Sequence, residues 1–173
     1  MDFPREWITP AVVTWMLKEL VENDNNHLDL TEKLDWYFLA VHNPDGYEYT
    51  RTTERFWRKT RSGNGTCIGV DANRNYGYQW GTVGSSSDPC SDGYHGSFPW
   101  SEVEVVNVRN FILERKGDWI FFDSIHSYGQ FVLLPWAYTT EKPEQYDELE
   151  RLSLIGTKAI QDRNGTNYTV SFF

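Results

Sequence analysis

The hydrophobic pattern begins with a helical spacing near the start of the chain. Thr9 followed by Pro10 is typical of a helix start. Apolar residues then keep to one helical face as far as Asn23, namely Val13, Met16, Leu17, Leu20 and Val21. The pattern predicts a helix over residues 9–23.

Two later stretches also have helical spacing. Ser101 and Glu104 form the pattern of a capping box, so a second helix is expected to begin there and to stop at Gly117. Apolar residues spaced between 149 and 160 mark a third helix, which should end before Gly165.

Strand-like runs lie between these helices, over residues 34–41, 119–125 and 131–134. Asn43-Pro44-Asp45-Gly46 follows the first run, and its Pro and Gly predict a turn. The second run reads as a fully buried strand in the centre of a sheet. Strands separated by helices predict an α/β layer fold with a largely parallel sheet, in which ligands bind at the carboxyl ends of strands.

Length and charge narrow the function classes. The chain has 173 residues, which suits a single domain. Sixteen Lys and Arg against 25 Asp and Glu give a net charge of −9, the wrong sign for a nucleic-acid partner. No run of 18 apolar residues occurs, so no membrane span is expected. Residues 60–100 are rich in Gly and Ser and predict a long ordered loop.

Two features bear on the compartment in which the chain folds. Cys67 and Cys90 allow one intrachain disulfide, and two unpaired buried thiols are the alternative. The first residues lack the order of a secretory signal. Three triplets nevertheless fit the N-glycosylation pattern, at 64–66, 164–166 and 167–169.

Five polar residues are candidates for chemistry, and each has a plain structural explanation when taken alone. His126 directly follows the run 119–125, where a histidine can be a structural group or serve in metal binding or proton transfer. Glu6 precedes the first helix, as the helix dipole favours. Arg58 can belong to a solvated basic face, and Asn73 and Arg74 can make loop hydrogen bonds.

Taken together and in this order, these residues resemble the zinc carboxypeptidases of the pancreatic A/B type, from Arg5 to about Val170. The matching segments are PREWITPA, NPDGYEYT, RFWRKTRS, CIGVDANRN, DPCSDGYHG, SEVEV, IHSYGQ and NYTV. The resemblance implies an α/β fold with a mixed, largely parallel twisted sheet flanked by helices.

The resemblance also implies one bound Zn²⁺, held by two histidines and a glutamate. Glu6 matches the glutamate and His126 the distant histidine, whereas Phe3 stands where the family has its first histidine. Asp2 lies one position away and is a poor substitute. Arg58 matches the arginine that stabilises charge developing on the scissile carbonyl.

Substrate contacts are implied in the same way. Asn73 and Arg74 match the pair that grips the terminal carboxylate of a peptide, a task suited to the bidentate guanidinium. Arg5, Arg55 and Tyr128 match residues that line the groove for the preceding substrate positions. The expected partners are therefore peptide or protein C-termini.

The implied activity is that of an extracellular exopeptidase, which removes C-terminal residues by means of a metal-activated water. Cys67 and Cys90 match the family's disulfide pair, which favours the bridge over free thiols.

The chain departs from the family pattern at both ends. A phenyl ring cannot coordinate zinc, and the family's general-base glutamate and capping tyrosine lie beyond the match. We therefore expect residues 1–173 to be a single partial peptidase domain, the central portion only, from an incomplete gene model or a splice product. Such a chain should be catalytically incompetent and poorly soluble. The alternative is a non-catalytic module that binds peptide C-terminal carboxylates.

Overall fold

The computed structural model describes residues 3–172. Contacts divide the chain into two compact units, the first ending at Ser127 and the second beginning at Tyr128. Four α-helices belong to the first unit: α1 (Ile8–Glu22), α2 (Leu28–Thr31), α3 (Pro44–Thr52) and α4 (Val103–Glu114). Short 3₁₀ turns cover Asp24–Asn26 and Ala72–Arg74.

Helix α1 confirms the first predicted helix to within one residue at each end. Its start is fixed by Thr9, whose backbone N and Oγ1 both donate to the carbonyl oxygen of Glu6, at 2.9 and 3.0 Å. Trp7 Nε1 donates to Thr50 Oγ1 of α3 at 2.9 Å, which ties the two helix ends together. The apolar face of α1 lies largely exposed, and Val21 is 68% exposed.

Helix α3 corrects the turn predicted over residues 43–46. Pro44 is the first helical residue, because buried Asn43 caps the helix by accepting a hydrogen bond from Gly46 N at 2.8 Å. A Cβ on Gly46 would lie 2.6 Å from Asn43 Oδ1, so the cap requires glycine. Asn43 Nδ2 also donates to the Lys59 carbonyl at 3.1 Å and so anchors the following loop to the helix.

Helix α4 confirms the second predicted helix but not its capping box. The N-cap residue is Glu102, and it makes no side-chain capping bond. Ser101 Oγ instead donates to Glu102 Oε1 at 2.8 Å and accepts from Asn75 Nδ2 at 2.9 Å. The hydroxyl group is therefore engaged by its tertiary neighbours, and the helix stops at Glu114 rather than at Gly117.

Two of the predicted strands are wrong. Residues 34–41 and 119–125 are extended or irregular and make no β-ladder. They are also more exposed than predicted, and Ile120, Phe121 and Phe122 are each over 60% exposed. A run of apolar residues indicates that burial is favourable, but a strand also needs a partner for its backbone hydrogen bonds. None of the described residues pairs with these two runs.

The best-packed part of the first unit is the loop between α3 and α4, as expected for an ordered loop. Its backbone is crosslinked by bonds from Thr60 N to Val70 O at 2.8 Å and from Asp71 N to Tyr94 O at 2.8 Å. The buried residues of this core include Val70, Ala72, Asn75, Thr60, Asp71 and Val105.

The second unit contains β1 (Phe131–Leu134), α5 (Tyr146–Asn164) and β2 (Thr169–Phe172). Strand β1 confirms the third predicted strand and pairs in parallel with β2, Phe131 opposite Thr169. Helix α5 confirms the third predicted helix and ends at Gly165, whose φ of 77° is that of a left-handed cap. No helix among the described residues is long and apolar enough to cross a membrane.

Candidate active site

The two predicted metal ligands lie together, although 120 residues separate them in sequence. Glu6 Oε2 and His126 Nδ1 are 3.2 Å apart. The Glu6 side chain is 8% exposed and the His126 side chain 32%, so the pair sits at the edge of the packed region. Glu6 is presented by the tight turn that precedes α1, in which its N donates to the carbonyl of Phe3 at 3.1 Å.

Phe3 occupies the space beside this pair. Its ring centroid lies 5.1 Å from that of His126 at an interplanar angle of 53°. The guanidinium carbon of Arg58 stands 3.6 Å from the centroid of the same ring, which is a close cation–π contact. Buried Phe3 therefore contacts both the imidazole and the guanidinium.

Whether these residues fit zinc can be tested on their geometry. Two ligand atoms on a tetrahedral zinc lie roughly 3.3 Å apart, so the spacing of Glu6 and His126 suits one edge of such a site. A catalytic zinc needs three protein ligands, and Phe3 has no donor atom. No group of three His, Cys, Asp or Glu side chains comes together anywhere in residues 3–172. The described residues do not fit a catalytic zinc, and Asp2 lies outside them.

Asp71 links the predicted oxyanion arginine to the predicted carboxylate-binding segment. Arg58 donates from Nε and Nη2 to Asp71 Oδ2, at 3.0 and 2.8 Å. Asn73 N donates to the other carboxylate oxygen of Asp71 at 3.0 Å. Burial raises the pKa of the Asp71 carboxyl, and Arg58 opposes that rise. The fully buried carboxylate therefore fixes both Arg58 and the turn that carries Asn73 and Arg74.

Asn73 and Arg74 are half-buried on the 3₁₀ turn that follows Asp71. Arg74 donates from Nε to the carbonyl of Gly84 at 2.8 Å and from Nη1 to the carbonyl of Asn73 at 3.0 Å. Arg74 Nη2 and the side-chain amide of Asn73 make no hydrogen bond within residues 3–172. These donors are free to meet an anionic group.

Arg5 and Arg55, predicted to line the substrate groove, lie beside each other. Arg55 Nη1 donates to the carbonyl of Arg5 at 2.8 Å, and its guanidinium carbon lies 3.9 Å from the centroid of a Trp7 ring. Arg5 Nη1 donates to the carbonyl of Phe56 at 3.2 Å and lies 3.5 Å from a carboxylate oxygen of Asp92. Both arginines are thus held by their surroundings, and both remain partly exposed.

Tyr128, predicted to line the same groove, is the first residue of the second unit. Its side chain is fully exposed. Its role stays a prediction.

The Cys67–Cys90 disulfide confirms the predicted bridge, with Cα atoms 4.9 Å apart. It closes the loop that carries Asp71, Asn73 and Arg74. Lys59 at the base of this loop donates to the carbonyl of Pro89 at 2.7 Å, and burial lowers the pKa of its ammonium group.

Sequence reasoning missed Glu102, a buried carboxylate behind the loop. Its Oε2 accepts hydrogen bonds from Thr60 Oγ1 at 2.6 Å and Ser62 Oγ at 2.5 Å, and its backbone N donates to Asn75 Oδ1 at 3.0 Å. Sequence reasoning also missed Asp71 as the residue that holds Arg58. The available signal was its position two residues before Asn73, where an Asp side chain can cap the turn that bears the functional pair.

Comparisons with known proteins agree with the resemblance seen in the sequence. The sequence pattern of the zinc carboxypeptidase family matches residues 3–172. The chain is 42% identical over 166 residues to zinc carboxypeptidase A 1 of Drosophila melanogaster, covering 95% of this chain and 39% of the relative. It is 41% identical over 169 residues to carboxypeptidase B of Astacus astacus, covering 96% and 56% respectively. The chain therefore spans between two fifths and somewhat over half of these curated relatives.

Solved structures agree on the fold. Bovine thrombin-activatable fibrinolysis inhibitor, in complex with a tick carboxypeptidase inhibitor, superposes with a TM-score of 0.91 at 33% identity, covering 98% of this chain and 58% of that one. Carboxypeptidase A of Helicoverpa armigera gives a TM-score of 0.86 at 33% identity, covering 99% and 43%. The predicted α/β fold class is confirmed by this likeness.

Proposed function

Because the chain belongs to the zinc carboxypeptidase family, we propose that it contributes the substrate-recognising part of a site that removes C-terminal residues from peptides. Residues 1–173 then form a single partial catalytic domain of that peptidase. The observation that carries this proposal is that one buried carboxylate, Asp71, holds both Arg58 and the turn that begins at Asn73. In the proposal, Arg58 meets a carbonyl oxygen of the substrate and the turn meets its terminal carboxylate.

In this proposal Asn73 and Arg74 bind the terminal carboxylate of the peptide. Their free donors support this role, since a guanidinium and an amide side by side suit the two oxygens of a carboxylate. Arg58 stabilises charge on the carbonyl oxygen of the bond to be cut, and its Nη1 donates to none of the described residues. Arg5, Arg55 and Tyr128 contact the residues before that bond.

The proposed metal of the family site is Zn²⁺, and Glu6 and His126 would be two of its ligands. When bound, the ion supplies polarisation of the carbonyl and of a water molecule. The phenyl ring of Phe3 cannot act as the third protein ligand. We therefore propose that this chain by itself binds zinc weakly and does not turn over peptide.

Zinc content and peptide hydrolysis test this proposal together. The purified chain is dialysed against micromolar zinc and assayed by elemental analysis and with a peptide that has a free C-terminus. We expect far less than one zinc per chain and no turnover, whereas Phe3→His should raise the zinc content towards one. Phe3→Leu is the matched control, since it changes the ring without adding a donor.

Stoichiometric zinc with turnover in the unchanged chain would overturn the proposed inactivity, and Asp2→Asn would then show whether Asp2 is the third ligand. Peptide binding is measured separately with a fluorescent peptide and with its C-terminal amide. Equal affinity for the two peptides would overturn the assignment of Asn73 and Arg74. The comparisons with carboxypeptidases do not favour a dedicated binding module.

We propose that the chain is extracellular, because it contains a disulfide. Cys67–Cys90 lies in an exposed loop, and disulfides persist in oxidising compartments.

A further inference from the structure

We propose that Asn64 is an N-glycosylation site and carries an N-linked oligosaccharide. The triplet Asn64-Gly65-Thr66 has the acceptor pattern, and its place in the fold separates it from the two other triplets of this pattern. This inference does not depend on the peptidase proposal.

Asn64 lies at the tip of a hairpin-like loop. Below the tip, Thr60 N donates to Val70 O at 2.8 Å and Gly69 N donates to Ser62 O at 3.0 Å, which brings the two arms together. The turn between these arms is formed by residues 63–68, so the triplet occupies its outermost part.

Open space surrounds this tip. Residues 62–66 are all exposed, and a Cβ added to either Gly63 or Gly65 would meet no atom within 4 Å. Within residues 3–172 the side-chain amide of Asn64 makes no hydrogen bond. A bulky sugar attached to its nitrogen therefore displaces no existing contact.

The other two triplets are less suitable in the folded chain. Asn167 Oδ1 already accepts a hydrogen bond from Gln161 Nε2 at 2.7 Å, and Thr169 belongs to strand β2. Asn164 is the last residue of α5, and its Oδ1 accepts from Thr166 N at 3.0 Å. These two sites lie three residues apart, so a sugar on one would crowd the other.

The neighbouring disulfide places this loop in the compartment where the modification occurs. Cys67 belongs to the same loop and is bonded to Cys90, and such bridges form in the secretory pathway. The reaction needs an oligosaccharide carried on a lipid diphosphate. A bond forms between Asn64 Nδ2 and C1 of the first sugar, the C1–O bond to the diphosphate breaks, and the amide nitrogen loses one proton.

The experiment uses the full chain expressed in insect cells behind a cleavable secretion signal. The chain is recovered from the medium and from the microsomal fraction, so poor secretion does not hide the result. Its mass is compared before and after treatment with peptide N-glycosidase, and a non-reducing digest identifies the species that contains the Cys67–Cys90 bridge.

We expect the bridged chain to lose a glycan mass on treatment and residue 64 to be converted from Asn to Asp. Asn64→Gln and Thr66→Ala should abolish this change, whereas Thr66→Ser and the control Asn167→Gln should retain it. Recovery of residue 64 as unmodified Asn in the bridged chain would overturn the proposal.

Discussion

The Asp71 anchor and the Glu6–His126 pair are two polar arrangements in the same unit, and they are built very differently. Asp71 is fully buried and accepts three hydrogen bonds, two from Arg58 and one from Asn73. His126 is 32% exposed, contacts Glu6 at 3.2 Å and follows a stretch that pairs with no described strand.

The difference shows which of the two arrangements is held more firmly by its surroundings. The anchor is enclosed by a loop whose ends are held by a disulfide and by the buried carboxylate of Glu102. In the pair, Glu6 is presented by a turn and His126 by an extended segment. The turn proposed to bind a terminal carboxylate is therefore held by more contacts than the two proposed metal ligands.

The strongest test of this contrast removes the anchor. Asp71→Ala leaves the largely buried guanidinium of Arg58 without its partner. We expect a loss of about 3–5 kcal/mol in the free energy of unfolding, enough to unfold a marginal chain, as is typical when one partner of a buried ion pair is removed. Urea unfolding followed by tryptophan fluorescence measures it.

Asp71→Asn is the matched variant, because its single side-chain oxygen can replace either the carboxylate oxygen that accepts from Arg58 or the one that accepts from Asn73. It should lose less stability than Asp71→Ala. Equal losses in the two variants would show that charge, rather than hydrogen bonding, governs the anchor.

Removing the disulfide is expected to have the next largest effect. The double variant Cys67→Ala/Cys90→Ala should lose about 3 kcal/mol, because the bridge spans 23 residues and restricts the unfolded chain. Chemical reduction of the unchanged chain should give a similar shift of the urea midpoint. A midpoint that stays the same after verified reduction would mean that the loop is held by its hydrogen bonds alone.

The Glu6–His126 pair should contribute much less to the free energy of unfolding. His126→Ala removes a partly exposed imidazole that makes one contact of 3.2 Å with the buried carboxylate of Glu6, and we expect a loss of about 1 kcal/mol, typical of a single hydrogen bond. The same urea titration measures this loss. A loss as large as that of Asp71→Ala would remove the distinction between the two arrangements.

The smallest effect is expected at Glu104, in the first turn of α4. Burial raises the pKa of its carboxyl, and Glu102 and Asp45 add to the rise, while its own backbone hydrogen bond and His42 oppose it. A raised pKa means that the folded chain favours the protonated form, so this stability is present at acid pH and is lost as pH rises through the folded pKa.

Glu104→Gln should therefore raise the free energy of unfolding by less than about 1 kcal/mol at pH 7, with the gain disappearing below the pKa of the unfolded chain, near pH 4. Unfolding at pH 3 and pH 7 checks the sign. The matched control is Glu114→Gln, which removes an exposed carboxylate from the same helix.

Local patterns predicted the helices well and the strands poorly. Helices α1, α4 and α5 lie where the 3.6-residue spacing put them, because a helix satisfies its backbone within its own segment. The runs 34–41 and 119–125 needed a partner segment that sequence spacing cannot supply, and of the three predicted strands only β1 finds one.

For the candidate site, residue types and their order were sufficient to name Glu6, Arg58, Asn73, Arg74 and His126. They were not sufficient to show what holds these residues. Asp71 gave only the signal of its position two residues before Asn73, and Glu102 gave none, since it reads as an ordinary polar residue at a helix start until the chain folds around it.

By itself, the sequence determined the family, three of the helices and the absence of a donor atom at Phe3, because these follow from residue identity and short-range spacing. The disulfide was indicated only by the family resemblance. Only the tertiary structure decided that Glu6 and His126 meet at 3.2 Å and that Phe3 contacts both His126 and Arg58. The physical reason is that such contacts join segments far apart in the chain. Their geometry depends on how the intervening loops pack, and no local pattern records it.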